Sequence, residues 1–120
     1  MTLLTPDSVR AGMAIHELVV EAYDEGKRDR RAEIRYPFFR AVGLQVDGQR
    51  VSAFSREISP SGIGLLHNME LPPTEVEVTV PSRRGHSVRM RVRIAWCRPC
   101  GEGWYISGGR LVDVVGIGGA

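Results

Sequence analysis

Polar and apolar residues alternate along much of this chain, most regularly between residues 74 and 96. In TEVEVTVP, residues 74–81, Val76, Val78 and Val80 fall on one parity and Glu75, Glu77 and Thr79 on the other. HSVRMRVRIAW, residues 86–96, repeats the pattern with Val88, Met90, Val92 and Ile94 set against Arg89, Arg91 and Arg93. Successive side chains of a strand point to opposite faces, so each segment predicts a strand with one face in a core and the other in water. PSRRGH joins the two as a polar hairpin loop. Asp47 and Gly48 predict a two-residue turn between a strand ending near Val46 and one beginning near Arg50. Ser59, Pro60, Ser61 and Gly62 predict another turn. GWYISGGRLVDVV, residues 103–115, supplies a last strand, in which Gly108 and Gly109 predict a bulge or sharp bend. GIGGA at residues 116–120 reads as a flexible tail.

The N-terminal part has a different period. Thr5, Pro6 and Asp7 combine a capping oxygen, a first-turn proline and an acid at the positive end of the dipole, which predicts a helix start. The expected helix runs to about Asp24, with Val9, Met13, His16 and Val20 as its apolar stripe and Gly26 as its stop. Five or six short strands without crossover helices most economically close into a small antiparallel sandwich or barrel. The expected fold is therefore mainly β. Residues 1–27 form an N-terminal α-helix and linker, residues 28–115 the β-domain, and residues 116–120 the tail.

Composition narrows the functional classes. The 120 residues suffice for one domain, and 42% hydrophobic with 25% charged residues is an ordinary globular balance. No run is long enough to span a bilayer, and the first 20 residues lack the basic start and continuous apolar stretch of a secretion signal. The expectation is a cytoplasmic protein without membrane insertion. A net charge of +2 is too small to imply a DNA or RNA partner, so Arg89, Arg91 and Arg93 read as a solvated strand face. Fifteen of the 16 basic residues are arginines, Lys27 being the exception, so planar forks rather than point charges are available to any anion.

Catalytic chemistry finds little support. WCRPC, residues 96–100, resembles the Trp-Cys-x-Pro-Cys centre of thioredoxins, but no helix follows to acidify the first thiol, because Gly101, Gly103 and a strand-like segment come next. Cys97 and Cys100 read as two reduced thiols in a turn. Two cysteines do not complete a zinc site, and His16, His67 and His86 lie on separate elements, so no metal or cofactor is expected. No triad or paired-carboxylate pattern stands out, and no enzyme is expected.

Two stretches carry more information. RDRRAEIR, residues 28–35, contains four arginines in eight positions, and EISPSG, residues 57–62, combines an acid, two hydroxyls and a glycine. Residues four apart in an extended arm share a side, so Arg31 and Arg35 can converge on one anion. Together, in this order and spacing, they resemble the PilZ family, whose signature is Arg-x-x-x-Arg followed 20 to 30 residues later by Asp or Asn-x-Ser-x-x-Gly. Arg31 to Arg35 matches the first half, with Arg30 before it. Glu57, Ser59 and Gly62 match the second half, with Glu57 standing where the pattern has Asp or Asn. The resemblance extends from about Arg28 to Val112.

What this resemblance implies is a six-stranded β-barrel that acts as a receptor for cyclic di-GMP, a bacterial second messenger. Arg30, Arg31 and Arg35 would fork onto phosphate and guanine edges. Glu57 would accept from guanine, Ser59 would donate to phosphate or sugar, and Gly62 would permit the close turn. A protein partner downstream is also implied. Glutamate at 57 keeps the acceptor but adds a methylene, which brings in a second reading: a barrel that has lost the messenger and serves as a protein-interaction module. Trp96 is expected to pack in the core rather than join the site.

Overall fold

The computed structural model describes residues 14–22 and 35–119. Six antiparallel strands follow a helical segment, α1, at residues 14–22. They are β1 (Tyr36–Val46), β2 (Gln49–Ser59), β3 (Gly62–His67), β4 (Glu75–Pro81), β5 (His86–Gly101) and β6 (Trp104–Gly119). They close in the order β1-β2-β3-β6-β5-β4, which returns to β1 and completes a barrel. The expected fold class is the observed one.

Alternation in sequence becomes inside and outside in space. Val76, Val78, Val80, Val88, Met90, Val92 and Ile94 are all buried, together with Phe38, Leu44, Ile58 and Leu65 from the other strands. Each fully buried side chain of this size contributes about 1.5–3 kcal/mol relative to exposure. On the outer face Arg89 pairs with Glu77 at 3.3 Å, Arg91 with Asp113 at 3.2 Å and Arg93 with Glu75 at 3.4 Å. These exposed pairs neutralise one another and make the arginine row a balanced strand face.

The turns obey local backbone rules. Asp47 and Gly48 adopt φ values of 48° and 78°, the left-handed pair that a two-residue hairpin needs to match strand twist. The expected turn is there. Glu102 and Gly103, with φ of 58° and 79°, repeat it between β5 and β6. The loop after Pro81 is closed by hydrogen bonds from Ser82 N to His86 O at 2.8 Å and from Gly85 N to Ser82 O at 3.2 Å.

Four expectations need correction. The buried stripe of α1 is Ala14, Ile15, Leu18, Glu21 and Ala22, while His16 and Val20 are exposed; Val9 and Met13 lie outside the described residues. The stripe was hidden because its fourth member is a carboxylate. Gly116 to Gly119 are not a loose tail: they continue β6 and pair with Arg89 to His86. The glycines leave that segment without side-chain signal, and the neighbouring strand supplies the order. Gly108 and Gly109 do not interrupt β6 either. The irregularity lies opposite them, between Ile94 and Trp96 of β5, leaving Ala95 as the extra residue. Cys97 and Cys100 lie in β5 rather than in a turn, both as free thiols.

Helix α1 is fastened by its buried acid. Glu21, 2% exposed, receives Arg40 Nη1 at 2.7 Å, Ser82 Oγ at 2.8 Å and Arg83 N at 3.3 Å. Arg40 Nη1 also donates to Pro81 O at 2.7 Å, and its guanidinium lies over the Phe38 ring. Burial alone would push the Glu21 carboxyl up, but the hydrogen bonds from Ser82, Arg40 and Arg83 outweigh it and hold the group below its ordinary value. The cluster sits where it is needed. β1 and β4 share only the pairs Gly43 with Thr79, Leu44 with Val78 and Gln45 with Glu77, so Arg40 and Glu21 extend a short seam.

His67 performs a similar task between β3 and β6. Its Nδ1 donates to Met69 O at 2.6 Å, which leaves Nε2 to accept from Ser107 Oγ at 2.8 Å. Only the neutral ring can do both. Burial drives its pKa down.

Two tests follow from these contacts. Replacing Glu21 with alanine strands the Arg40 guanidinium, whose side chain is 12% exposed, and should cost about 3 kcal/mol in urea unfolding, with Arg40→Ala in the same protein adding less than its separate effect. The pH response has one sign. A depressed histidine pKa means the folded state resists protonation, so stability is complete above the ordinary value of 6.5 and declines as pH falls below it. The depressed Glu21 adds a further loss as pH falls below 4.5 toward its folded value. Melting curves from about pH 7 to about pH 5 should show Tm falling, and a constant Tm would contradict the assignment of His67.

Candidate ligand-binding cleft

The turn SPSG and the Gly108 and Gly109 pair of β6 meet on the outside of the barrel. Ser59 ends β2, Pro60 and Ser61 turn the chain, and Gly62 opens β3. Leu111 N donates to Ser61 O at 2.8 Å, which ties this turn to β6. Two level rows cross four strands here. Glu57 pairs with Gly64, Gly64 with Gly108 and Gly108 with Trp96; Ser59 pairs with Gly62, Gly62 with Arg110 and Arg110 with Arg93.

The first row explains the hollow. At a strand spacing of about 4.8 Å, Glu57 and Trp96 stand roughly 14 Å apart at the backbone with two glycines between them. Both side chains lean over that glycine floor. A Cβ on Gly64 would meet Glu57 Cγ at 2.9 Å, and one on Gly108 would meet Trp96 Nε1 at 2.4 Å. The result is a cleft of about 200 Å³ lined by Arg35, Glu57, Ser59, Gly62, Trp96 and Arg110, among others.

Four of the expected site residues therefore gather in one place. Arg35, immediately before β1, reaches across to Glu57, with Nη1 3.5 Å from Oε1. Ser59 is 7% exposed and its Oγ lies 3.5 Å from Ser61 Oγ, so two hydroxyls share one edge. Gly62 is there too, but for a different reason from the one expected. It lacks a positive φ, and what demands glycine is close approach: a Cβ would sit 2.5 Å from Gly109 O on the adjacent strand. Arg30 and Arg31 lie outside the described residues.

Three lining residues were not among the expected site residues. Trp96 does not pack in the core: it is 39% exposed, forms one wall of the cleft and carries Arg98 over its ring at 5.3 Å. The strand period pointed the other way: Trp96 falls two residues after buried Ile94, so strict alternation puts it inside, and the extra residue Ala95 turns it to the outer face. Arg110 lines the cleft from β6 and has no ion-pair partner among the described residues. Ser61 adds its hydroxyl. Near the floor, Arg56 Nη1 is buried without a hydrogen-bond partner among the described residues, 3.3 Å from where a Gly64 Cβ would be. No group of His, Cys, Asp and Glu among the described residues is arranged to hold a metal ion.

Cation forks, hydroxyls, a carboxylate acceptor and an aromatic wall meet here above open backbone, groups that can contact the charged and planar surfaces of a small molecule. The chain matches the PilZ domain over residues 29–115 and belongs to that family, whose members are binding modules. A comparison with curated proteins returns no match. No helix among the described residues is long and apolar enough to cross a membrane.

The glycine floor makes a testable demand. Gly108→Ala forces the Trp96 indole aside and should cost about 1–3 kcal/mol, as overpacking does, while changing quenching of tryptophan fluorescence by iodide. Unchanged quenching would mean that the indole does not rest on this glycine.

Proposed function

We propose that this chain is a cytoplasmic bacterial receptor module for cyclic di-GMP, and that the cleft between Glu57 and Trp96 is where it binds. The observation that carries this reading is the gathering of Arg35 from just before β1, Glu57 and Ser59 from β2 and Gly62 from β3 around a single opening. Family membership supports the ligand class. Arg31 and Arg35 take phosphate oxygens and the guanine O6 and N7 edge, for which a planar fork is suited, and Arg30 adds charge. Ser59 donates to phosphate or sugar, and a base lies against the Trp96 indole. Messenger binding uses the site without chemical change, so no cofactor enters.

Glu57 departs from the family pattern, and its neighbour compensates. Its Cγ occupies space that any side chain at 64 would fill, so the additional methylene is accommodated against the bare backbone of Gly64. The carboxylate then reaches Arg35. Ligand binding exchanges that ion pair for contacts to guanine and phosphate. Residues 23–34 join α1 to Arg35, so drawing this arm onto the ligand alters the link to the helix and the surface offered to a protein partner.

The Arg35 to Glu57 pair also supports the second reading, a barrel without messenger affinity that works as an interaction module, because the pair satisfies two groups that the ligand needs. Calorimetric titration separates them. Saturable heat with cyclic di-GMP is expected, and Arg31→Ala or Arg35→Ala should each forfeit about 1.5–3 kcal/mol, a tenfold to hundredfold loss. Glu57→Asp withdraws the carboxylate from Arg35 and should keep or raise affinity. Absence of heat at about 0.5 mM ligand with folded protein would assign the chain to the interaction class.

A further inference from the structure

A second and larger hollow lies on the far side of the barrel. It measures about 410 Å³, within the range of small-molecule sites, and shares no lining residue with the first. In the closed strand order the first cleft is centred on β3 and the second on β4, which stand opposite each other in a ring of six.

Its construction repeats the logic of the first. Gly43 pairs with Thr79, Thr79 with Arg89 and Arg89 with Gly116, forming one level row across β1, β4, β5 and β6. The Arg89 guanidinium rests on the glycine beside it: a Cβ on Gly116 would be 2.7 Å from Nη2. Arg50 reaches over from β2, its Nη2 3.7 Å from the position a Gly43 Cβ would take. Two guanidinium groups from different strands thus lie over two glycines with Thr79 between them. Ser87, paired with Gly118, adds a second hydroxyl to the lining.

The charges are unequal. Arg89 is paired with Glu77 at 3.3 Å, as Arg35 is with Glu57. Arg50 has neither an ion pair nor a hydrogen bond among the described residues. One positive charge is left over, beside hydroxyls of Thr79 and Ser87 that are likewise unpartnered among the described residues. Arginine forks and hydroxyl donors over accessible backbone suit a tetrahedral oxyanion, whose oxygens can engage two forks at once.

We propose that this second hollow binds a small phosphate ester, its phosphoryl group held by Arg50, Arg89, Thr79 and Ser87. The esterified group lies along the glycine floor. Glu77 keeps Arg89 in place in the empty site and yields it to the ligand. The site is independent of the cleft at Glu57, and occupancy of one leaves the other open.

Amide spectra of the 15N-labelled full chain, titrated at constant ionic strength with inorganic phosphate and with glycerol 3-phosphate, test this. Saturable shifts are expected at Gly43, Thr79, Gly116 and Gly118, with the ester binding more tightly than phosphate. Arg50→Ala, a change at an exposed side chain with no ion pair or hydrogen bond to lose among the described residues, should weaken binding at least about tenfold, and Arg50→Lys should recover only part because it restores charge without the fork. Arg35→Ala should leave these shifts unchanged. Shifts confined to residues 57–64, indifference to Arg50→Ala, or no saturation by about 20 mM of either probe would overturn the proposal.

Discussion

Closure of the barrel along β1 and β4 is the constraint on which the remainder depends. Every other strand contact is longer, and this one has three residue pairs. The fold compensates with a buried carboxylate from α1 that gathers Arg40 of β1, Ser82 and the Arg83 amide into one cluster. A surface ion pair would contribute little, but here both partners are shielded and hydrogen-bonded on several sides, so losing either is costly. β1 thereby has two tasks. Arg40 joins the helix to the seam, and Arg35, just before the same strand, faces the cleft. Whatever moves Arg35 acts on a strand whose other contacts hold the helix.

Glycine gives the outer surface its relief. A closed barrel has a convex exterior, and strands covered with side chains offer no depth to a ligand. Gly64 and Gly108 on one side, and Gly43 and Gly116 on the other, remove side chains at chosen levels so that long neighbours fold down across bare backbone. Glu57, Trp96 and Arg89 each rest on such a glycine. These positions have no need of a left-handed backbone. At Gly64, Gly108 and Gly116 another side chain occupies the space of the missing Cβ, which distinguishes them from Gly48 and Gly103, whose positive φ values make turns.

Arginine abundance resolves into separate roles once the strands are paired. Arg89, Arg91 and Arg93 are balanced by acids across the strand or on the next one. Arg40 is structural, and Arg98 lies on an indole. Arg50 and Arg110 retain no acid of their own among the described residues, and each borders a hollow. A near-neutral total therefore conceals two local excesses of positive charge. What concentrates an anion is the field inside a concave surface, to which compensated pairs elsewhere contribute little.

Local pattern alone determined the strand identities, the turns at Asp47 and Gly48 and the inward valines of β4 and β5, because a period of two and a demand for positive φ act within a few residues. The spacing of Arg35, Glu57, Ser59 and Gly62 was also legible, since the order of a motif is a property of the chain. The fold decided what depends on a neighbour distant in sequence. Trp96 became a cleft wall because a bulge and an opposing glycine gave it room outside the barrel. Glu21 became part of the buried stripe because Arg40 and Ser82 arrive from other elements to neutralise it. The final glycines became strand because His86 to Arg89 pair with them. Propensity is local, whereas burial, charge compensation and the volume left by an absent side chain exist only between segments, so pairing had to bring those segments together before any of these roles was set.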